Sequence, residues 1–183
     1  MFIQTEQTPN PATLKFLPGE TVLAQGTADF TDAAVAAERS PLAGALFSVD
    51  GVAAVFFGAD FITITKTPEM DWYVLKPSIL GVIMEHFTAG APVMNDTVVS
   101  EPVSAEDDDE IVSQIRELID TRVRPAVAQD GGDIVFHRFE EGVVFLEMQG
   151  ACAGCPSSSA TLKMGVENML RHYIPEVVEV RPI

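Results

Sequence analysis

The sequence predicts an α+β protein of two small domains joined by an acidic linker. The first observation behind this prediction is composition, because 183 residues that are 47% hydrophobic are enough to form buried cores. The second is that helix-like and strand-like apolar patterns occur on both sides of residues 96–110. The third is that this segment carries seven acidic residues and no basic ones. We therefore place the N-terminal domain at 1–95, the linker at 96–110 and the C-terminal domain at 111–183.

The first elements predicted in the N-terminal domain are a short helix and a pair of strands. SPLAGALFS, residues 40–48, opens with a Ser-Pro pair that favours a helix start. VAAVFF, residues 52–57, and FITITK, residues 61–66, are typical of strands, and the intervening GAD turns the chain. These three segments predict a helix followed by a strand pair.

A longer helix is predicted to close this domain. WYVLKPSILGVIMEHF, residues 72–87, is mostly apolar and favours a helix despite Pro77. Asp71 and Trp72, at its start, fit a cap or core role better than a contact with a partner. The domain has no cysteine, so we expect it to recognise partners or to adjust the oligomeric state.

The acidic linker is expected to be a solvated tether. DTVVSEPVSAEDDDE, residues 96–110, combines Pro102 and serines with a block of like charges, which cannot bury enough surface to fold. Its last part, residues 106–110, is also expected to cap the next helix, because negative charge is favourable at a helix N-terminus.

The C-terminal domain is predicted to fold in the order helix, strand, strand, helix, strand. Apolar residues at helical spacing predict the first helix, and the glycines of DGGD then turn the chain. A short EEG turn joins the first two strands into a hairpin. The predicted segments are the helices 110–123 and 157–173, the hairpin strands 134–139 and 143–148, and the closing strand 176–180.

Both cysteines of the chain, Cys152 and Cys155, lie in the predicted loop between the second strand and the second helix. Gly150 and Gly154 permit a tight turn, and Pro156 suits the first turn of the helix. The thiols thus lie near the positive end of a helix dipole, which stabilises a negative charge by about 0.3 to 1 kcal/mol and favours the thiolate. We expect two exposed, reactive thiolates that bind a metal or exchange electrons.

The C-x-x-C spacing leaves rival functions open. A thioredoxin-like thiol-disulfide oxidoreductase also places this motif between a strand and a helix, although the domain lacks a repeated βαβ pattern. The other alternative is a structural zinc site shared by a dimer. Structural zinc takes four ligands, so the two cysteines of one chain leave two ligands to be supplied. The histidines of the chain are His86, His137 and His172. The positions of His137 in a strand and of His172 at a helix end fit packing or surface roles better.

Four more residues near the cysteines in sequence have ordinary explanations. Lys163 and Arg171 fit solvated cations on the second helix better than partners of a charged metal centre. Met148 and Met164 are expected to fill the core, because methionine packs easily and is not the expected ligand.

Charge and composition narrow the partner classes. The formal net charge of −16 argues against nucleic acid as a partner, and protein partners are the better expectation. No run of about 18 apolar residues occurs, which argues against a membrane span. Residues 1–7 lack the features of a secretory signal or a transit peptide. We expect a soluble, cytoplasmic protein, in which two cysteines serve metal binding or redox chemistry.

The motifs resemble those of a known family over nearly the whole chain apart from residues 91–106. The cysteine segment and its flanks are similar to the C-terminal NifU-like domain of Nfu-type iron–sulfur cluster carriers, and the first half is similar to the Nfu N-terminal domain. The C-terminal motifs are QDGGDIVFH, GACAGCPSSSATLKMGVENML and YIPEVVEV. The N-terminal motifs are TPNPATLKFLPG, SPLAGALFSVDGVAAVFFGADFITITK and WYVLKPSILGVIMEHF.

The resemblance implies a function for the cysteines. It implies that Cys152 and Cys155 of two subunits together bind one [4Fe–4S] cluster, which takes four thiolates. A homodimer with two-fold symmetry would form when the cluster is loaded. The protein would then be a carrier and not an enzyme. The carrier would receive clusters from upstream assembly proteins and pass them to apo iron–sulfur proteins such as lipoyl synthase. The residues alone leave a [2Fe–2S] cluster open.

Overall fold

The computed structural model describes residues 2–95, 109–153 and 156–183. The chain divides into two compact units, Met1–Glu101 and Pro102–Ile183. Each unit combines helices with a β-sheet and has a hydrophobic core of its own. The predicted α+β class with two small domains is confirmed. Residues 96–108 of the predicted linker lie outside the described residues.

The N-terminal unit is an antiparallel sheet with three helices. The strand order in the sheet is β1-β2-β5-β4-β3. Its strands are β1 (Gln4–Gln7), β2 (Thr13–Leu17), β3 (Ala28–Phe30), β4 (Val52–Phe57) and β5 (Ile62–Lys66). Its helices are α1 (Ala33–Arg39), α2 (Pro41–Phe47) and α3 (Trp72–Ala89).

Side-chain caps explain where these helices begin. Ser40 Oγ accepts a hydrogen bond of 3.0 Å from the Ala43 N–H, and Pro41 follows in the first turn of α2. Asp71 Oδ1 accepts one of 3.0 Å from the Tyr73 N–H at the start of α3. The cap role predicted for Asp71 is therefore confirmed, as are α2, α3 and the strand pair β4–β5.

The core of the N-terminal unit joins the sheet to the helices. The central strands have buried residues on both faces, and alternate residues along them face the helices, as expected for a pleated sheet. They pack with apolar residues of α2 and α3 into one cluster. The largest of these side chains are Phe16, Phe30, Phe57, Ile62, Ile64, Leu42, Leu46, Leu75, Ile79 and Ile83.

The C-terminal unit has the predicted element order. Its sheet has the order β6-β7-β8, in which β6 and β7 are antiparallel and β8 runs parallel to β7. The strands are β6 (Gly132–Glu140), β7 (Val143–Gly150) and β8 (Glu179–Pro182). The helices are α4 (Glu110–Leu118), α5 (Arg124–Gln129) and α6 (Pro156–Tyr173), and a π-helical turn (Ile119–Val123) joins α4 to α5.

The first helical segment is longer than predicted. Asp109 Oδ1 accepts a hydrogen bond of 3.0 Å from the Glu110 N–H, so the end of the acidic segment caps α4 as expected. The chain stays helical to Gln129 because the π-helical turn restarts the helix at Arg124. Pro125 then falls in the first turn of α5, where its missing N–H is not needed.

The core of the C-terminal unit lies between the sheet and the helices. Each helix and each strand of the unit, and the π-helical turn, contributes at least one buried residue. The buried residues include Ile115, Ile119, Val123, Val127, Ile134, Val144, Leu146, Val166, Leu170 and Val180. Cys152 belongs to the same buried cluster, which places one of the predicted site residues inside the domain.

Within residues 2–95, 109–153 and 156–183, no helix has both the length and the apolar character needed to cross a membrane.

Candidate metal-binding loop

The cysteine loop connects the end of β7 to the start of α6. β7 ends at Gly150, whose φ of 63° lies in the left-handed region that favours glycine. The Ala153 N–H donates a hydrogen bond of 3.1 Å to the Gly150 carbonyl, which closes the turn around Cys152. Gly154 and Cys155 lie outside the described residues. The predicted position of the loop, between the second strand and the second helix of the domain, is confirmed.

Cys152 is buried. Its residue surface is only 5% exposed, and it packs within the hydrophobic core of the domain. The prediction of an exposed thiol is therefore wrong for Cys152. The reason is a contact with Gly132, the first residue of β6, which leaves space for the side chain against its backbone.

The start of β6 brings Gly132 next to the sulfur of Cys152. A Cβ atom at Gly132 would lie 2.5 Å from Cys152 Sγ and 2.8 Å from the Gln149 carbonyl oxygen, closer than real atoms approach. Gly132 is paired with Gly150 in the β6–β7 ladder. The DGGD pattern predicts that Gly132 belongs to a turn, but its lack of a side chain serves the close approach of Cys152.

The neighbouring glycine has the role that the sequence predicts. Gly131 has a φ of 81°, which favours glycine over residues with a side chain. Its carbonyl accepts a hydrogen bond of 3.2 Å from the Ala151 N–H. The glycine pair thus joins the start of β6 to the first residue of the cysteine loop.

A buried ion pair holds the start of β6. Asp133, next to Gly132, has a side chain that is 4% exposed and binds Arg124 through two hydrogen bonds, Nε to Oδ1 at 2.9 Å and Nη2 to Oδ2 at 2.8 Å. Asp133 Oδ1 also accepts a hydrogen bond of 2.8 Å from the Ile134 N–H. The bond with Asp133 raises the pKa of Arg124 above its ordinary value. Sequence reasoning missed this pair, which links the first residue of α5 to β6.

The histidines have the packing and surface roles predicted for them. His137 is on the strand surface, 2.7 Å from the Glu147 carboxylate on β7. His172 packs edge to face on Tyr173 at the end of α6. His86 is buried in the N-terminal unit. In the part of the chain that the structure describes, no three Cys, His, Asp or Glu side chains converge into a group that could hold a metal ion.

The cations of α6 pair with carboxylates of their own domain. Lys163 lies 3.7 Å from Glu179, and Arg171 lies 3.9 Å from Glu167. These contacts agree with the predicted surface roles of the two cations.

The two methionines differ from each other. Met148 packs partly buried against the core, as predicted. Met164 is 64% exposed, so its predicted core position is wrong. It lies on the solvent side of α6, two positions before the buried Val166.

Comparison with known proteins gives matches to both halves of the chain. A family model described as "Scaffold protein Nfu/NifU N terminal" matches residues 3–90, and one described as "NifU-like domain" matches residues 115–181. The human protein "NFU1 iron-sulfur cluster scaffold homolog, mitochondrial" is 53% identical over 184 residues, which are 100% of this chain and 72% of the human one. The protein of the same name from Drosophila sechellia is 56% identical over 185 residues, and the match covers 100% of this chain and 65% of that protein.

Solved structures also match this chain, and one of them comes from yeast. The solution structure of a NifU-like protein from Saccharomyces cerevisiae is 28% identical and superposes with a TM-score of 0.47. The superposition covers 52% of this chain and 86% of the yeast chain.

Proposed function

This chain belongs to the Nfu family of iron–sulfur cluster scaffold proteins, and we propose on that basis that it carries an iron–sulfur cluster and delivers it to apo-proteins. The observation that carries the proposal is the order and extent of the two family matches, residues 3–90 and 115–181. The second match includes both cysteines of the chain.

Cys152 and Cys155 are the proposed cluster ligands. Thiolates are the usual ligands of iron–sulfur clusters, and a [4Fe–4S] cluster takes four of them. One chain has two cysteines, so two chains together supply the full set. A two-fold homodimer presents the same loop from both subunits, and we propose this dimer as the cluster-loaded form.

The cluster is cargo in this proposal and the chain is not an enzyme. A cluster held between two separable chains can leave by exchange of its thiolates, one at a time, for those of a recipient. The partners are upstream assembly proteins that donate clusters and apo iron–sulfur proteins that accept them. The predicted cytoplasmic location stays a prediction, and the relatives are named as mitochondrial proteins.

Anaerobic reconstitution tests the proposal. The purified chain is incubated with iron and sulfide, desalted, and analysed for iron, sulfide, zinc and molecular mass. We expect about four irons per dimer, and transfer of the cluster to an apo-protein that has four cysteine ligands. The Cys152→Ser and Cys155→Ser variants should each lose a stable cluster, whereas Gly165→Ala, at a position of α6 with open space around it, should keep it.

Three results would contradict the proposal. A Ser variant that keeps a full, stable cluster would show that the ligands are wrong. A loaded monomer with the full iron content would remove the shared site. Colourless protein that holds zinc and fails to fold under chelation would favour a structural zinc dimer, and disulfide turnover without iron would favour an oxidoreductase.

A further inference from the structure

The buried position of Cys152 is incompatible with a cluster shared between two chains. A bridging cluster needs sulfur atoms at a surface that the partner subunit can reach. Cys152 is 5% exposed and packs within the core of its own domain. The sulfur must therefore leave this position before it can bind iron that a second chain also holds.

Gly132 makes the buried position possible. The sulfur of Cys152 occupies the space next to the Gly132 Cα, and a Cβ there would approach Sγ to 2.5 Å and the Cys152 backbone nitrogen to 3.0 Å. Any side chain at this position thus displaces the cysteine loop or its thiol. Glycine is the one residue that accepts the sulfur at this distance.

The surroundings hold Gly132 firmly in place. The two hydrogen bonds between Arg124 and the buried Asp133 fix the residue that follows it. The Ala151 N–H bonds to the carbonyl of Gly131, the residue that precedes it. A thiol that rests on Gly132 therefore rests on a fixed part of the sheet.

We propose that Gly132 is a positioning residue that holds Cys152 in an inward position in the apo-protein, and that the Cys152 thiol turns outward when the cluster binds. The inference rests on the proposed function, in which Cys152 is a cluster ligand. The inward position competes with iron for the same sulfur. It lowers the apparent affinity for the cluster by the fraction of molecules that are in the outward position.

The effect of Gly132→Ala follows from this competition. The added methyl group removes the inward position, so a larger fraction of the apo-protein is ready to bind. The methyl group also meets the Gln149 carbonyl oxygen at 2.8 Å, so the backbone of β7 must shift locally. A folded Gly132→Ala variant should bind the cluster with a higher apparent affinity. Ordinary damage to the domain would have the opposite effect, which separates positioning from a structural role.

The first test measures the accessibility of the thiol in the apo-protein. In the Cys155→Ser chain, Cys152 is the single cysteine, and its reaction with iodoacetamide is followed by mass spectrometry. We expect folded Cys155→Ser to react at least about tenfold more slowly than the same chain unfolded in urea, because reaction requires opening of the loop. Adding Gly132→Ala should remove most of this protection, and adding Gly165→Ala should leave it unchanged.

Circular dichroism establishes that each variant is folded. Reaction of folded Cys155→Ser at the unfolded rate would overturn the inference, as would full protection in a folded Gly132→Ala variant. If Gly132→Ala does not fold, the inference is tested by the reaction rate of Cys152 in folded Cys155→Ser compared with the rate in the unfolded chain.

The second test measures the apparent affinity for the cluster in the chain with both cysteines. Loaded wild type and loaded Gly132→Ala are titrated with an iron chelator, and the cluster that remains at equilibrium is read from the visible absorbance. Retention of the cluster to a higher chelator concentration by Gly132→Ala supports the inference, and equal or weaker retention contradicts it. If the wild type binds no cluster, the proposed function fails, while the iodoacetamide test still reports whether Gly132 positions Cys152.

Discussion

Replacement of Asp133 by alanine should destabilise the C-terminal unit strongly. The carboxylate accepts two hydrogen bonds from Arg124 and one from the Ile134 N–H, and the Asp133 side chain is 4% exposed. Removal of one partner from a fully buried ion pair costs about 3 to 5 kcal/mol. The Arg124 side chain is 35% exposed and also contacts Asp120 at 3.3 Å, so water and Asp120 compensate part of its charge. We expect a loss of about 2 to 3 kcal/mol in the free energy of unfolding.

Urea unfolding can assign this loss to one domain. Trp72 is the single tryptophan and lies in the N-terminal unit, so its fluorescence follows that unit. Circular dichroism follows both units, and the transition that fluorescence does not report belongs to the C-terminal unit. Asp120→Ala is the matched control, because its side chain is 60% exposed and an exposed pair contributes about 0.5 kcal/mol or less.

A double-mutant cycle tests whether burial and paired geometry strengthen the interaction between Arg124 and Asp133. The coupling energy between Arg124 and Asp133 should exceed the coupling between Arg124 and Asp120 by at least about 1 kcal/mol. Equal couplings for the two carboxylates would refute the reasoning, because burial and paired geometry would then add nothing to the interaction.

Other variants test local features of both units. Ser40→Ala removes a buried cap of α2 and should lower the stability of the N-terminal unit by about 1 to 2 kcal/mol, measured by tryptophan fluorescence in urea. Gly165→Ala should stabilise the C-terminal unit by about 0.5 to 1 kcal/mol, since the added methyl group meets no atom within 4 Å. The hydrogen bond from Arg181 lowers the pKa of Glu179, so Arg181→Gln should raise that pKa in an NMR titration, and the stability that the bond adds should be lost as the pH falls through the lowered pKa.

The elements that the sequence predicts are those with strong local signals. α3 has 18 residues and a capping Asp71, and a turn separates the apolar β4 from β5, in which isoleucine alternates with threonine. The strands β1, β2 and β3 and the helix α1 were not predicted, and two of these strands have weak patterns. β1 reads Gln-Thr-Glu-Gln and β3 has only three residues, and their strand structure comes from pairing with β2 and β4. Tertiary pairing of this kind leaves no periodic signal in the sequence.

The candidate site was predicted at the level of the loop but not at the level of the thiol. A strand, two glycines and a proline indicate where the cysteines lie along the chain. The burial of Cys152 depends on Gly132, which lies twenty positions earlier and reaches the loop through the β6–β7 pairing. From one sequence, both glycines of DGGD are predicted to be turn residues. The strand register shows that only Gly131 lies in the turn and that Gly132 lies in β6, in contact with Cys152.

In the proposed carrier, the inward position of Cys152 affects the release of the cluster. Burial of a small apolar side chain stabilises a protein by about 1 to 2 kcal/mol, and about 1.4 kcal/mol corresponds to a tenfold change in an equilibrium constant. Each chain of the proposed dimer gives up this burial when its Cys152 binds iron. The two penalties multiply, so the inward positions weaken the shared site by about a hundredfold. A recipient whose four cysteines already lie at its surface does not have this penalty, and the difference favours transfer from the carrier to the recipient.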